Sequence, residues 1–99
     1  VNTTNTLAAD RFMLLNSGSA SGDGGIIVQT EGTASGSAFV YNDDQSRWGV
    51  QQGTKLAQDA TTAGAVDGHV SVVVTSDVSA HQKNGNIRVE SEEIYIYVE

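Results

Sequence analysis

Residues 38–51 read AFVYNDDQSRWGVQ, and this stretch decides the fold class. Two runs of apolar and aromatic residues flank a polar segment, a pattern that predicts a β-hairpin with a turn of four or five residues. Because side chains alternate along a strand, Phe39 and Tyr41 share one face, and Trp48 and Val50 share a face of the returning strand. We therefore expect the aromatic side chains to pair across the two strands.

Residues 86–98 read NIRVESEEIYIYV and predict a second hairpin near the end of the sequence. One face of its last strand carries Tyr95 and Tyr97. The other face is aliphatic: Ile94, Ile96 and Val98. A strand of this kind at a sheet edge promotes pairing with another chain, and the glutamates around it are typical of residues that limit unwanted pairing.

Three further runs predict strands: RFMLL at 11–15, IIV at 26–28 and HVSVVVT at 69–75. The run at 69–75 has the strongest β-pattern, and we expect it to be central or half-buried. With about seven short strands and no convincing helix, the sequence predicts an all-β fold, a small antiparallel β-sandwich or open barrel.

Residues 1–10 carry little that could be buried and predict a loosely ordered leader, whereas 11–99 predict a single β domain. Large apolar residues from every predicted strand are expected to supply most of its core. They are Phe12, Leu14, Ile27, Phe39, Trp48, Val72, Val74, Ile87 and Ile96.

Composition limits the function. The chain has 99 residues, 12 acidic against 5 basic side chains and a net charge of −7, so we expect neither nucleic-acid binding nor attraction to anionic membranes. No apolar run approaches the length that crosses a bilayer, so no membrane insertion is expected. The absence of cysteine excludes disulfides and thiolate metal sites.

The sequence offers no motif that predicts catalysis. His69 and His81 are not spaced as metal ligands or paired with a nucleophile elbow, and the glycine-rich segment 21–25 is better explained as a turn than as a phosphate loop. Asp43 and Asp44 follow Asn42 as a calcium site would require, but the rest of an EF-hand loop is missing, so Asx-turns are favoured. We predict no enzyme activity, no cofactor and no obligatory metal.

The aromatic residues leave one alternative open. Tyr41 and Trp48, together with Tyr95 and Tyr97, are of the type that stacks on sugar rings, and Tyr41 and Trp48 are the candidate glycan contacts. In a chain with so few aromatics, however, core and hairpin packing is expected to use most of them.

Three segments in order resemble structural proteins of tailed bacteriophages, particularly fibre-like proteins of marine phages. They are DRFMLLN at 10–16, GIIV at 25–28 and AFVYNDDQSRWGV at 38–50. Residues 85–98 resemble the terminal hairpin of such modules more loosely. Residues 52–84 carry no part of the resemblance.

The resemblance implies a non-enzymatic virion protein, a tail-fibre or capsid-decoration module that contacts copies of itself and other virion proteins. It favours a homotrimer. Tyr95 and Tyr97 are the candidate subunit or partner contacts, because a monomer can bury only one face of the last strand. The second hypothesis is a module that recognises a host-surface glycan.

Overall fold

The fold is all-β, as predicted, with two sheets that are antiparallel in every pairing but one. The computed structural model describes Asn5 and residues 7–99. The strands are β1 (Gly24–Glu31), β2 (Ser35–Asn42), β3 (Arg47–Ala57), β4 (Gly68–His69), β5 (Val73–Val74), β6 (Ile87–Glu90) and β7 (Glu93–Ile96), with a 3-10 turn at Ser79–His81. Both predicted hairpins are present.

The first sheet has the strand order β1-β2-β3-β4 and contains the first hairpin. Tyr41 lies opposite Trp48 and Phe39 lies opposite Val50, so the predicted cross-strand pairing of aromatics is confirmed. Four residues connect β2 to β3, and the amide of Ser46 donates to the carbonyl of Asp43 at 3.2 Å. The turn therefore has the predicted length.

The core lies against one face of this sheet and is small. Ala38 and Val40 of β2 are buried against Ala63, which belongs to the connection between β3 and β4. Ile27, Leu56 and Val66 pack around these three residues and are partly buried. Small side chains on β2 let the connection approach closely, so a stretch without regular structure covers the sheet.

Most of the predicted core is wrong. Phe12 and Leu14 are 89% and 82% exposed, and residues 11–15 form no strand. Phe39, Trp48 and Ile96 are also exposed. The remaining predicted core residues are at most half-buried: Ile27, Val72, Val74 and Ile87. Period-two alternation shows that two faces of a strand differ, but the connecting segments decide which face is covered.

The run at 69–75, predicted to be central or half-buried, is not one central strand, although Val72 and Val74 within it are half-buried. Its start belongs to β4 of the first sheet, and β5 pairs in parallel with β6 of the second. Between them, the amide of Val70 donates to Trp48 and the amide of Val72 donates to the side chain of Asn86. The segment leaves one sheet and enters the other, so its β-prone residues link the sheets.

The proposed division into a leader and one domain remains a prediction. Residues 1–4 and 6 of the expected leader lie outside the described residues. Residues 7–20 are exposed, and β1 begins only at Gly24.

Candidate functional site

Three aromatic rings meet on the face of the first sheet that the core does not use. Phe39 and Trp48 stack with ring centroids 5.2 Å apart and planes inclined by 12°. Tyr41 meets Trp48 edge to face at 5.3 Å. Phe39 and Trp48 are 46% and 45% exposed, and Tyr41 is half-buried. The structure thus brings the two candidate glycan contacts together and adds Phe39, which had been assigned to the core.

The exposed surface around Phe39 continues onto the two strands that flank β2. Ile26 lies opposite Phe39 on β1, and Val50 lies opposite Phe39 on β3. We call this surface the aromatic face: Ile26, Val28, Phe39, Trp48 and Val50, which are all exposed. No charged side chain lies on this side of the sheet within residues 24–28 of β1, 37–41 of β2 and 48–50 of β3.

The second sheet has an open apolar surface of its own. Ile87 pairs with Val73 and with Ile96, and Val89 pairs with Ile94, so these side chains share one side of the sheet. We call it the aliphatic face: Val73, Ile87, Val89, Ile94 and Ile96. Ile94 and Ile96 are 71% and 64% exposed. The charged residues of β6 and β7 alternate with these positions and lie on the opposite side: Arg88, Glu90 and Glu93.

Tyr95 and Tyr97 lie on that opposite, polar side and make contacts within the chain. The guanidinium carbon of Arg88 lies 4.1 Å from the ring centroid of Tyr95, whose hydroxyl donates to Glu93 at 2.5 Å. Tyr97 donates to Asp77 at 2.5 Å, and Asp77 forms an ion pair with Arg88 at 3.1 Å. Tyr95 is 38% exposed and Tyr97 is half-buried. Their role in partner contact remains a prediction.

These contacts change the acidity of two groups. The hydrogen bond from Tyr97, and then the one from Gln82, lowers the pKa of Asp77, because both stabilise the carboxylate. The same bond to Asp77 raises the pKa of the Tyr97 phenol. The last residues of the described chain are thereby attached to the loop that precedes the 3-10 turn.

Asp23, which immediately precedes β1, and Asp43, in the turn of the first hairpin, connect neighbouring loops by hydrogen bonds. Asp23 accepts hydrogen bonds from the amides of Asp43, at 2.7 Å, and Ala63, at 2.6 Å. Asp43 in turn accepts from the amide of Gly22 at 3.1 Å. Asn42 accepts from the amide of Gln45 at 3.4 Å, the Asx-type contact that was expected. These side chains therefore act on backbone N–H groups, an arrangement that neighbouring loops create and the sequence does not reveal.

The other candidate groups for metal or proton chemistry are scattered. His69 lies in β4, and His81 ends the 3-10 turn. The pKa of His69 is lowered by burial and then by the charge of Arg47. Among Asn5 and residues 7–99, no three His, Cys, Asp or Glu side chains form a group that could hold a metal ion.

No protein-family model matches the sequence, and no curated protein or solved structure is found to be similar to it. In the described part of the chain, no helix has the length and apolarity needed to span a membrane. The aromatic face and the aliphatic face are the candidate functional surfaces.

Proposed function

We propose that this chain is a structural component of a tailed-phage virion, a tail-fibre or capsid-decoration module that acts through subunit contacts. The observation that carries the proposal is the pair of open apolar faces. Contiguous apolar surface of this kind on a small domain marks a protein–protein contact. The phage resemblance of residues 10–50 supplies the virion as the place of assembly.

The size of the core supports an assembling chain over a self-sufficient monomer. Among Asn5 and residues 7–99, the fully buried hydrophobic residues are Ala38, Val40 and Ala63, a small set for a domain that must fold alone. The Cα radius of gyration is 16.3 Å, whereas a compact domain of this length has about 13 Å. Burial of the open faces by neighbours would add the apolar contacts that the single chain lacks.

The proposed partners are further copies of the chain, with three copies favoured by the resemblance, and other virion proteins. In this proposal Tyr95 and Tyr97 remain candidate contacts on the polar side of β7. No catalytic step is part of the function, and the particle is assembled in the host cytoplasm and released.

Immunoelectron microscopy tests this function directly. Antibodies raised against the chain should label intact tailed particles from the lysate of the host that carries the sequence. Labelling of the tail or of the capsid would separate the two virion locations. Antigen found only in the particle-free fraction of the same lysate would refute the virion role.

A second function is favoured by one specific observation, the cluster formed by the exposed rings of Phe39 and Trp48 and the half-buried ring of Tyr41. Stacked aromatic faces bind the apolar faces of sugars. A glycan array with the isolated chain should then give a saturable signal that soluble sugar competes. Trp48→Ala should abolish this signal and Tyr95→Ala, on the polar side of the other sheet, should retain it. Equal signals from both variants would remove the glycan hypothesis.

A further inference from the structure

We infer that the aromatic face of one copy is covered by the aliphatic face of a second copy, in a head-to-tail contact. The inference rests on the proposed function, because it names the surfaces through which the chain would assemble with itself. The occupant of each open face is then the other open face of a neighbour. Four features of the molecule support this pairing: area, charge, shape and the number of faces.

The exposed apolar areas of the two faces are matched. The five residues of the aromatic face are between 38% and 64% exposed, and the four exposed residues of the aliphatic face are between 42% and 71% exposed. For side chains of this size, each face presents on the order of 500 Å² of apolar surface. With a polar rim around it, a contact between them approaches the roughly 800 Å² per partner of a stable interface.

Charge is compatible with a second copy as the occupant. Two copies that each carry a net charge of −7 repel one another, so a contact between them requires surfaces without acidic groups. The aliphatic face meets this condition because the charged residues of β6 and β7 lie on the opposite side of their sheet. The aromatic face meets it because its positions on β1, β2 and β3 carry no charged side chain. A basic partner protein would find its complement at Glu90 and Glu93 rather than at either apolar face.

Shape favours the unlike pairing over a contact between two aromatic faces. Sheets pack about 10 Å apart with side chains that interdigitate, and large groups fit best against smaller ones. The stacked rings of Phe39 and Trp48 are bulky, whereas Val89, Ile94 and Ile96 are smaller branched side chains. An aromatic-to-aromatic dimer would also leave the aliphatic face of both copies open.

The number of faces sets the form of the assembly. Each copy has one aromatic and one aliphatic face, and a head-to-tail arrangement covers both when every copy contacts two neighbours. A head-to-tail contact of this kind produces a closed ring or an open fibre. The proposed contact is heterologous, in contrast to the isologous contact of a two-fold dimer.

Two charge substitutions test the inference by mixing. Phe39→Glu places a carboxylate in the aromatic face, and Ile94→Glu places one in the aliphatic face, both at exposed positions. In sedimentation velocity, each variant alone should be monomeric at concentrations where the wild-type chain associates. An equimolar mixture should form a one-to-one dimer, because one intact aromatic face then meets one intact aliphatic face. Self-association of Ile94→Glu alone would indicate an aromatic-to-aromatic contact and overturn the inference.

The single tryptophan gives an independent readout. Trp48 lies in the aromatic face, so its emission should shift to shorter wavelength as the wild-type chain associates and return on dilution. Phe12→Glu is the matched control, since Phe12 is an exposed phenylalanine outside both faces and this variant should associate as the wild type does. Circular dichroism of every variant verifies that the β fold is retained.

The outcomes separate this inference from the function on which it rests. The wild-type chain could associate with unchanged Trp48 emission while both charge variants also associate. This result would refute the assignment of the contact to the two apolar faces but would support self-assembly. Loss of association in Phe12→Glu alone would assign the contact to the exposed segment 7–15 and refute the faces as well. A chain that stays monomeric at millimolar concentration would refute the inference, while particle labelling decides the virion role separately.

Discussion

The two sheets of this chain are stabilised by different means. In the first, β1, β2 and β3 are eight to eleven residues long, and one face buries Ala38 and Val40 against the β3–β4 connection. In the second, the strands have two to four residues, and neither side contains a fully buried hydrophobic residue. The first sheet is stabilised by apolar burial as well as by polar side-chain contacts, and the second mainly by polar side-chain contacts.

Asn86 is the centre of the polar contacts in the second sheet. It is 2% exposed, accepts from the amide of Val72 at 2.9 Å and from Arg47 at 3.1 Å, and donates to the carbonyl of His81 at 3.0 Å. Arg47 also donates to the carbonyl of Val70 at 3.3 Å, next to the point where the chain passes between the sheets. A single buried amide therefore positions β5 beside β6 and joins both to the first sheet.

The largest expected effect breaks the first sheet at Gly36. A Cβ at this position would lie 2.6 Å from the amide nitrogen of Thr30 and 2.8 Å from the Cα of Gln29, so the backbone of β1 would have to move. Gly36→Ala should destabilise the chain by about 3 kcal/mol in urea unfolding. Gly24→Ala is the control, because a Cβ there meets no atom within 4 Å. Equal midpoints for the two variants would contradict the close pairing of β1 and β2.

The second sheet should respond most to loss of the Asn86 side chain. Asn86→Ala leaves buried polar partners unsatisfied and should cost about 2 kcal/mol. Hydrogen exchange should quicken at the amides of Val72 and Ile87 and stay unchanged in β2, because the hydrogen-bond partners of the Asn86 side chain are Arg47, Val72 and His81, none of which lies in β2. Asn84→Ala, which alters an exposed amide two residues away, should affect exchange much less. Uniform loss of protection in both sheets would show that they unfold as one unit.

The difference between the sheets also explains what could be predicted from the sequence. Both hairpins follow from strand propensity and turn residues, which are local properties. The buried side of β2 depends on Ala63, a residue in a stretch without a recognisable pattern, so Phe39 and Trp48 were assigned to the core. Likewise, the division of 69–75 depends on Asn86 and Arg47, which are distant in sequence. The aromatic cluster could be predicted from the register of 38–51, but its exposure could not.

The turn of the second hairpin suggests a substitution that stabilises the second sheet. Ser91 and Glu92 connect β6 to β7 with φ of 55° and 63°, the positive values that a type I′ turn requires and that glycine adopts most easily. Glu92→Gly should therefore stabilise the chain by about 1 kcal/mol, measured by urea unfolding. Glu92→Ala removes the same charge but keeps the Cβ, so it should give no comparable gain. A similar gain from both variants would attribute the effect to charge.

The smallest expected effect concerns the hydrogen bond from the Tyr97 hydroxyl to Asp77, which attaches the segment after β7 to the loop before the 3-10 turn. The lowered pKa of Asp77 means that its contribution to stability is present above the ordinary range of an aspartate, about pH 4, and is lost as the pH falls through the folded pKa. The raised pKa of Tyr97 has the opposite sign, so its contribution is present below about pH 10 and is lost as the pH rises through the folded value.

Tyr97→Phe should consequently move the pKa of Asp77 upward towards its ordinary range, because the largest cause of the lowering is removed while Gln82 and Arg88 remain. NMR titration of the Asp77 carboxyl carbon measures this shift. Tyr95→Phe is the control, since the Tyr95 hydroxyl bonds to Glu93 and should leave the Asp77 titration unchanged. If Asp77 titrates alike in the wild type and both variants, the hydrogen bond does not persist in solution. In that case the stability of the second sheet would depend more strongly on the hydrogen bonds of Asn86.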